Sequence, residues 1–364
     1  MKIAIMGIRG IPANYGGFET FAEELAPRLV KRGHRVTVYG RSNIINFKGK
    51  YYKGVKLVIL PTIPHKYLDT VAHTLLCVIH SLFYRYDVIL ICNAANSIFS
   101  FIPRLTGQKV VVNVNGLERK RKKWNWLGKL WYLFGEFFSN VFPNEIASDA
   151  RVIQNYYWDR YHKKSTFIPY GANTEKAYTT KVLDKFGIRP NEYILYVSRL
   201  EPENNAHIVI KTFEKVKTNF KLVIVGDAPY SLEYIKKLKA TTDSRVVFTG
   251  FVFGKGYKEF QSNAYCYIHA TEVGGTHPAL IEAMGFGNCV IANGTPENIE
   301  VVADAGIIYK KNDIEDLGEK IEYVIRNPEV IRMYGEKARE RIKANYSWDA
   351  VTNKYETLFS EMVT

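Results

Sequence analysis

The sequence predicts an α/β protein made of two doubly wound domains, each with a parallel sheet covered by helices. Three observations lead to this fold class. The chain has 364 residues, which suits two domains of ordinary size. In both halves short apolar runs alternate with helical patterns, as is typical of parallel sheets. Between the halves, Ile168–Asn173 (IPYGAN) interrupts the pattern with proline and glycine, which predicts the domain boundary.

The first domain is expected over residues 1–170. It opens with a strand at Lys2–Gly7 and a helix at Phe18–Arg32, in which Pro27 predicts a kink and which Gly33 ends. Further strands are expected at Arg35–Tyr39, Val55–Leu60, Val88–Cys92 and Lys109–Asn113.

The second domain, over residues 171–346, alternates more regularly. Helical patterns separate its short apolar runs, and Pro328–Thr364 is helical with a break at Tyr346–Trp348. Two such domains place ligands at the carboxyl ends of their strands, in the cleft between them. The strands are expected at Tyr193–Ser198, Lys221–Gly226, Val246–Thr249, Tyr265–His269, Cys289–Ala292 and Ile307–Tyr309.

The net charge of +14 lies almost entirely in the first half. Residues 1–170 hold 25 Lys and Arg against 10 Asp and Glu, whereas residues 171–364 hold 25 against 26. A generally basic composition would not confine the excess to one half. The pattern therefore favours a face that meets anionic lipid, nucleic acid or an acidic substrate.

No segment has the pattern of a transmembrane helix or a signal peptide. The uncharged runs Thr70–Tyr84 and Val88–Pro103 are shorter than the roughly 20 residues that span a bilayer, and MKIAIMG is typical of a strand. Four cysteines lie in apolar runs without ligand spacing, which favours reduced core residues in a cytoplasmic protein. They are Cys77, Cys92, Cys266 and Cys289.

The segment Gly274–Gly287 (GGTHPALIEAMGFG) is the most informative stretch for function. It follows the strand at Tyr265–His269 and runs through a glycine turn into a helical pattern. Thr276 or His277 can cap that helix, and Pro278 suits its first turn. Unpaired N–H groups and the positive end of the helix dipole predict a phosphate site at the turn.

Three acidic or basic side chains near this turn are candidate ligands. Glu282 lies about one turn inside the helix, so its carboxylate can lean back toward a ribose diol; the alternative is a solvated glutamate. His269 ends the preceding strand and is more often a structural residue in such a place. Glu272 immediately precedes the glycines and is the stronger candidate of these two.

Another glycine-rich loop, Gly7–Thr20 (GIRGIPANYGGFET), follows the first strand. Its glycine spacing does not match GxGxxG, which disfavours a Rossmann dehydrogenase. A long Gly-Gly turn can instead bring backbone amides close to a donor phosphate or an acceptor.

The segment Arg199–Asn205 (RLEPENN) follows the first strand of the second domain. An arginine at a strand end can place its guanidinium fork on a diphosphate. The alternative is an ion pair between Arg199 and Glu201 or Glu203. The Gly-Asp pair at 226–227 ends the next strand and is a weaker candidate.

Together these motifs resemble a known family. GIRGIPANYGGFET, NVNGLERKRKKW, FIPYGAN, VSRLEPENN, EVGGTHPALIEAMG and a final YSWDAV helix are similar to the nucleotide-sugar glycosyltransferases of family 4, closest to the bacterial rhamnosyltransferase-like subgroup. The resemblance implies the GT-B fold, with two Rossmann-like domains facing a cleft. It implies acceptor binding by residues 1–170, donor binding by residues 171–346, and return of the C-terminal helix 347–364 to the first domain.

The resemblance also implies roles for individual residues. Glu282 would hold the nucleotide ribose, residues 275–277 would lie against the diphosphate and sugar, and Arg199 would neutralise the leaving group. Gly16 and Gly17 would lie across the cleft. The positions expected to bind the donor are Gly16, Gly17, Arg199, Asn204, Gly274, Gly275, Thr276, His277 and Glu282.

The chain departs from the wider family at three places. Gly274 stands where the wider family has its first glutamate, and the nearest acid is Glu272; Asn204 stands where a lysine would be a second phosphate cation. Both departures are typical of the subgroup. Asn115 stands where an aspartate is expected, so Glu118 is a candidate to act on the acceptor. The catalytic candidates are Arg199, Glu272, Asn115 and Glu118.

The implied activity is a retaining transfer by front-face attack, without a covalent protein intermediate, a metal or another cofactor. The chain has no Asp-x-Asp pair to hold a divalent ion. Rhamnose from dTDP-rhamnose is the expected donor sugar, and a glycan or lipid-linked saccharide of cell-surface polysaccharide synthesis is the expected acceptor. A UDP-hexose donor and a nucleotide-sugar epimerase are the alternatives; a nucleic-acid partner is not expected.

The stretch Glu118–Phe138 combines five consecutive cations with many aromatic residues. This composition is typical of a helix in a membrane interface, with cations on headgroups; the alternative is a core helix behind a solvated charge run. We expect a peripheral protein on the inner face of the cell membrane that binds an anionic surface. The membrane or acceptor side is assigned to Arg119, Lys120, Arg121, Lys122, Lys123, Trp124 and Trp126.

Overall fold

The predicted fold class is confirmed, because each half of the chain folds around a mainly parallel sheet. The computed structural model describes residues 1–14, 16–65, 68–121, 124–229 and 231–363. Its contacts divide the chain into two units. The first consists of Met1–Lys120, Trp124–Tyr170 and Trp348–Thr364, and the second of Arg121–Lys123 and Gly171–Ser347.

The first unit has an eight-stranded sheet in the order β3-β4-β2-β1-β5-β6-β7-β8, with only the β3–β4 pair antiparallel among the described strands. One central strand, Val88–Cys92, is wholly apolar, and its side chains are fully buried. The strands are β1 (Lys2–Met6), β2 (Arg35–Arg41), β3 (Tyr51–Tyr52), β4 (Val55–Leu60), β5 (Val88–Cys92), β6 (Lys109–Val114), β7 (Glu145–Ser148) and β8 (Thr166–Phe167).

Six α-helices of the described chain belong to this unit. Single 3₁₀ segments at Ala94–Ser100 and Glu118–Lys120 follow β5 and β6. Pro27 lies inside the first helix, which continues to Lys31. The helices are α1 (Gly17–Lys31), α2 (Asp69–Ser81), α3 (Phe101–Arg104), α4 (Trp126–Val141), α5 (Arg151–Tyr161) and α14 (Trp348–Val363).

The C-terminal helix α14 belongs to the first unit and packs against α1. The rings of Tyr355 and Phe21 are 5.4 Å apart, and those of Tyr355 and Phe359 are 5.6 Å apart. All three side chains are buried. Burial of these aromatic residues, at several hundred Å² of apolar surface, is what holds the helix to this unit.

The second unit has a six-stranded sheet in the order β11-β10-β9-β12-β13-β14, and every pair is parallel. All six predicted strands are present. They are β9 (Tyr193–Val197), β10 (Lys221–Val225), β11 (Val246–Gly250), β12 (Cys266–His269), β13 (Val290–Asn293) and β14 (Ile307–Tyr309).

Helices cover both faces of this sheet, as a parallel arrangement requires. The described helices are α6 (Lys181–Lys185), α7 (Ala206–Lys215), α8 (Leu232–Leu238), α9 (Gly254–Ser262), α10 (Pro278–Gly285), α11 (Pro296–Val302), α12 (Ile314–Arg326) and α13 (Pro328–Asn345), with a 3₁₀ turn at Pro202–Asn204.

The strand order places a topological switch point at β9, which has β10 on one side and β12 on the other. The chain leaves β9 and β12 at the same edge of the sheet, so the loops after these two strands emerge side by side. Ligands of doubly wound domains bind at such a switch point. The fold therefore brings the segment at 199–205 next to the glycine turn at 270–277.

The four cysteines are unpaired and fully buried, as expected. Burial raises the pKa of Cys289 to about 12, and it raises the pKa of the other three thiols. No helix within the described ranges is long and apolar enough to cross a bilayer.

Candidate functional site

The loop after β9 presents Arg199, whose side chain is half-buried. Its NH1 lies 3.5 Å from Glu201 Oε1, so the ion pair considered as an alternative is present. Asn204 is buried, and its Nδ2 donates to the Arg199 carbonyl at 2.6 Å. The Asn204 amide therefore holds the backbone that carries Arg199, and a direct contact of Asn204 with a donor stays a prediction.

A backbone hydrogen bond joins this loop to the one after β12. The Glu272 amide donates to the Glu203 carbonyl at 3.1 Å. The Arg199 loop and the glycine turn are thus hydrogen-bonded to each other at the carboxyl edge of the sheet.

The helix α10 begins at Pro278, with His277 at its N-cap position and no capping hydrogen bond from the His277 side chain. The amides of Leu280 and Ile281 both donate to the His277 carbonyl, at 3.1 and 3.2 Å. Pro278 has no N–H to offer. An anion here would thus depend on the helix dipole and neighbouring cations more than on the amides of the first turn.

The His277 ring explains why position 274 is glycine. A Cβ built on Gly274 would overlap His277 Cε1 and would lie 3.0 Å from both ring nitrogens. The backbone of Gly274 does not have a positive φ, so space and not conformation excludes a larger residue. The imidazole lies where a side chain at position 274 would begin.

The imidazoles of His277 and His269 lie 4.8 Å apart. Burial lowers the pKa of His269 to about 3. Burial lowers the pKa of His277 well below its usual range, and the charges of Arg121 and Arg199 act in the same direction. Both rings are therefore neutral at pH 7, and His269 Nε2 has no hydrogen-bond partner among the described residues.

Glu282 is half-buried and held by a tyrosine. The Tyr257 hydroxyl donates to Glu282 Oε2 at 2.6 Å, and Gln261 Nε2 donates to the Tyr257 hydroxyl at 2.9 Å. Burial and the Glu282 charge raise the pKa of Tyr257 well above its usual range. The carboxylate is therefore fixed by its neighbours, and the alternative of a freely solvated glutamate is wrong.

Glu272 is tied into a network of asparagines at the same edge. Asn312 Nδ2 donates to Glu272 Oε2 at 2.6 Å, and Asn312 Oδ1 accepts from Asn205 at 2.9 Å and from Asn293 at 2.8 Å. Asn205 ends the predicted segment after β9, whereas Asn293, at the end of β13, and Asn312, after β14, were not predicted. Their common position at strand ends is the signal that could have found them.

Arg121 lies in the second unit, although the chain before Arg121 and after Lys123 belongs to the first. Its NH1 is 3.5 Å from both Glu201 Oε2 and Glu203 Oε1. Arg121 is 7% exposed and Glu203 is fully buried. The structure thus uses Arg121 in a buried ion-pair cluster and not on the predicted membrane surface, because two buried carboxylates require a cation.

In the first unit, carboxylates of α1 hold the glycine-rich loop after β1. The Arg9 amide donates to Glu19 Oε1 at 2.9 Å, and the Ala13 amide donates to Glu23 Oε2 at 2.8 Å. Gly16 is the N-cap residue of α1, and Gly17 is its first residue. A contact of Gly16 and Gly17 with the donor stays a prediction.

The acceptor candidates follow β6 in the first unit. Asn115 is half-buried and hydrogen-bonds the Tyr170 side chain, and Glu118 begins a 3₁₀ turn. Asp149, which the sequence analysis missed, follows β7 and is buried. Burial raises the pKa of Tyr170 well above its usual range, and the Asp149 charge adds to this. Asp149 is therefore a third polar group, beside Asn115 and Glu118, at the carboxyl ends of β6 and β7.

The basic stretch has a different arrangement from the one expected. Arg119 Nε donates to Glu136 at 2.9 Å, and its NH2 donates to the Tyr156 hydroxyl at 2.9 Å. Lys120 is exposed, whereas Lys122 and Lys123 lie outside the described residues. The Trp124 ring packs 5.2 Å from that of Tyr132. Arg119 is thus bound within its own unit.

The aromatic part of the stretch forms the exposed face of α4. Gly135 packs this helix closely on the preceding 3₁₀ segment, since a Cβ there would lie 2.6 Å from the Ala94 carbonyl oxygen. Trp126 is 71% exposed, and exposed apolar residues recur at every third or fourth position. The core-helix alternative is wrong for this face, whose further members are Leu127, Leu130, Phe134, Phe137 and Val141.

No group of three or more His, Cys, Asp and Glu side chains in the described part of the chain is placed to hold a metal ion.

Two family models match the chain, one for each half. Residues 15–176 match the family described as Glycosyltransferase Family 4, and residues 181–341 match the family described as Glycosyl transferases group 1.

An uncharacterized glycosyltransferase of Methanocaldococcus jannaschii is 28% identical over 191 residues, covering 50% of this chain and 48% of the relative. The capsular polysaccharide biosynthesis glycosyltransferase CapM of Staphylococcus aureus is 25% identical over 185 residues, covering 48% of each. The chain thus spans about half the length of the curated relatives it matches.

Solved structures match over the whole chain at low identity. The sucrose-phosphate synthase of Thermosynechococcus elongatus gives a TM-score of 0.82 at 17% identity, covering 99% of this chain and 98% of that one. The Anabaena protein HepE in complex with UDP-glucose gives 0.79 at 17% identity, covering 99% and 100%. These likenesses confirm the GT-B fold. On this fold, residues 15–176 and residues 181–341 each match a glycosyltransferase family model.

Proposed function

We propose that the protein is a retaining, metal-independent glycosyltransferase that uses a nucleotide-diphosphate sugar. The observation that carries the proposal is the meeting of two loops at the switch point of the second sheet. Arg199 follows β9, and the glycine turn leads from β12 into the N-terminus of α10. A guanidinium beside a helix N-terminus is a site for a diphosphate leaving group.

In the proposed reaction, negative charge develops on the departing diphosphate. Arg199 and the α10 dipole stabilise that charge, so they lower the barrier more than they tighten ground-state binding. Glu282, fixed by Tyr257, accepts hydrogen bonds from the ribose hydroxyls. The acceptor is a glycan or lipid-linked saccharide of cell-surface polysaccharide synthesis, and Asn115 and Glu118 of the first unit are the groups proposed to meet its hydroxyl.

We propose rhamnose, from dTDP-rhamnose, as the transferred sugar. The support is the subgroup's combination of Gly274 with the following Thr-His-Pro. The neutral His277 ring lies where the wider family has a carboxylate side chain, which removes one acceptor of sugar hydroxyl hydrogen bonds from this place. A UDP-hexose donor is the second candidate.

Sugar transfer should be measured by mass spectrometry with dTDP-rhamnose and UDP-hexoses, each with and without a lipid-linked saccharide acceptor. We expect transfer from dTDP-rhamnose with the acceptor, unchanged by EDTA, and an anomeric configuration retained in the product by NMR. An altered nucleotide sugar formed without acceptor would show an epimerase instead. Loss of activity in EDTA that Mg²⁺ restores would overturn metal independence.

Arg199→Ala tests the site within this reaction. Removing one charged donor to a developing oxyanion costs on the order of 10²–10³ in turnover, and we expect a loss of that size with folding intact. Arg189→Ala, which removes an exposed arginine of the same unit, is the control. Near-normal turnover by a folded Arg199→Ala protein would exclude the proposed leaving-group role.

We also propose that the exposed apolar face of α4 binds the inner surface of the cell membrane, which would keep the protein peripheral and cytoplasmic. The support is the face itself, from Trp126 to Val141, together with the excess positive charge of residues 1–170. Since Arg119 and Arg121 are held in ion pairs, the exposed Lys120 and Lys129 are the described cations of this stretch proposed to meet headgroups.

Vesicle flotation with anionic lipid tests this surface. We expect Phe134→Ser/Phe137→Ser to lose most of the binding, because two buried phenyl groups contribute several kcal/mol. Tyr178→Ser, which changes a 92% exposed aromatic residue of the second unit, is the control. Equal flotation of the double variant and the unchanged protein would remove the membrane proposal.

A further inference from the structure

We infer that Arg121 is the second cation of the donor site, in place of the lysine that the chain lacks at Asn204. The ligand it would meet is the pyrophosphate of a nucleoside diphosphate or its sugar. The inference rests on the proposed function. It assigns to Arg121 a role in the second unit that its position in the sequence, inside a basic and aromatic stretch of the first half, does not indicate.

The first observation is that Arg121 and Arg199 share one carboxylate. Glu201 Oε1 lies 3.5 Å from Arg199 NH1, and Glu201 Oε2 lies 3.5 Å from Arg121 NH1. A carboxylate has its two oxygens only about 2 Å apart, so this bridge keeps the NH1 atoms of the two arginines within about 9 Å of each other. The two guanidinium groups therefore flank one carboxylate in a single cluster beside the β9 loop.

The second observation is that the buried carboxylate of Glu203 holds Arg121 in place. Its NH1 lies 3.5 Å from Glu203 Oε1, and Glu203 is fully buried with no hydrogen-bond partner for Oε2 among the described residues. Glu203 also accepts the Glu272 amide through its carbonyl. The residue that anchors Arg121 is thus the one that joins the β9 loop to the glycine turn.

The third observation is the chemistry at position 204. Asn204 is uncharged, and its amide is used on the Arg199 carbonyl. A pyrophosphate diester carries two negative charges, and Glu201 offsets part of the positive charge that Arg199 brings to it. A guanidinium presents five N–H donors, so it can hold carboxylates on one edge and a phosphate on another. Arg121 thus adds N–H donors for the second phosphate without a change in the β9 loop.

Nucleoside diphosphate binding by the full chain tests the inference, with UDP and dTDP as probes in isothermal titration calorimetry. Removing Arg121 alone would leave the buried Glu203 charge uncompensated, so the decisive variant is Arg121→Gln/Glu203→Gln. We expect it to bind the diphosphate about 10–100-fold more weakly, the size of one charged hydrogen bond. We also expect a smaller loss for the corresponding monophosphates, because they carry less charge.

A further variant, Arg199→Ala, separates failure of the proposed function from failure of the inference. If the unchanged chain binds neither diphosphate, the proposed function fails. If Arg199→Ala weakens binding and the folded Arg121 variant does not, only the inference fails. Equal losses for mono- and diphosphates would also overturn it, since they would show a merely structural role.

A matched control and a milder variant complete the test. Arg245→Gln removes an ion-paired arginine at the amino edge of the same sheet, and we expect it to lower stability without changing nucleotide affinity. If the double variant does not fold, Arg121→Lys decides the matter. This variant keeps a positive charge beside the Glu203 carboxylate but loses the planar guanidinium fork. A severalfold weaker affinity for the diphosphate would support the inference, and an unchanged affinity would overturn it.

Discussion

At the scale of single residues, the site depends on neighbours that share no sequence motif with the residues they hold. Glu282 was identified from its place one turn inside a helix, but its orientation depends on Tyr257, 25 residues earlier. Gly274 was recognised as a departure from the family, and the His277 ring supplies the steric reason. In both cases the chemistry of the residue was readable from the sequence, while its partner was not.

The Tyr257 contact leads to an expectation about donor binding. Tyr257→Phe removes the hydroxyl that fixes Glu282, so we expect nucleotide affinity to fall about tenfold, the cost of one hydrogen bond to a charged group. Calorimetry with UDP and dTDP measures it. Tyr265→Phe removes a hydroxyl that bonds the Val324 carbonyl at 2.8 Å and is the matched control. Equal affinity in Tyr257→Phe and the unchanged protein would contradict the role of the pair.

The contact between Gly274 and His277 can be tested through stability. Gly274→Ala forces the His277 ring to move, and overpacking of this kind costs about 1–3 kcal/mol of unfolding free energy. We expect His277→Ala to recover most of that loss in the double variant, as urea denaturation would measure. Gly318→Ala, whose new Cβ would make an ordinary 3.6 Å contact, is the control. Additive losses in the double variant would contradict the clash.

The neutral His269 gives an expected pH dependence. Its folded pKa is about 3 against about 6.5 in the unfolded chain, so between these values the unfolded state binds a proton that the folded state does not. Stability therefore falls as the pH drops below about 6.5, by about 2 kcal/mol for this residue at pH 5. We expect His269→Gln to reduce the loss between pH 7 and pH 5 by that amount, with the exposed His162→Gln as control.

At the scale of elements, apolar strands were predictable and polar ones were not. The six strands of the second unit are short apolar runs between helical patterns, and all six are present. In the first unit β7 (EIAS) and β8 (TF) were missed, because they are too short and polar to be distinguished from loops. They form because β6 offers β7 a hydrogen-bonding edge, and β7 in turn offers one to β8.

For helix α4, the sequence did not determine which face of the helix is buried. Its mixture of small and aromatic residues allowed either a core helix or an interfacial one. The close approach of Gly135 to the Ala94 carbonyl decides which side is inside. The apolar stripe from Leu127 to Val141 is left on the outer side.

At the scale of the whole molecule, the chain order and the units do not coincide. The helix α14 belongs to the first unit, and Arg121 belongs to the second. Strand order adds a further feature that is not local, since the switch point at β9 exists only because β12 pairs with β9 on the side opposite β10. This pairing is what brings Arg199 and the glycine turn together.

The docking of α14 leads to an expectation about the first unit. Phe359 is fully buried, and Phe359→Ala should cost about 3–5 kcal/mol of unfolding free energy because it leaves a cavity against Tyr355. Differential scanning calorimetry of the full chain measures the loss. Val363→Ala, at an exposed position of the same helix, is the control. A loss below 1 kcal/mol in Phe359→Ala would contradict this packing.

The sequence by itself determined the fold class, the strands of the second unit and the candidate donor residues. These follow from local properties: apolar periodicity, glycine and proline placement, and motifs within some fifteen residues. The tertiary structure decided that Tyr257 holds Glu282, that asparagines hold Glu272, and that Arg121 lies beside Glu201 and Glu203. The physical reason is that such contacts depend on which strands pair and which segments return, and burial of the whole chain selects these arrangements.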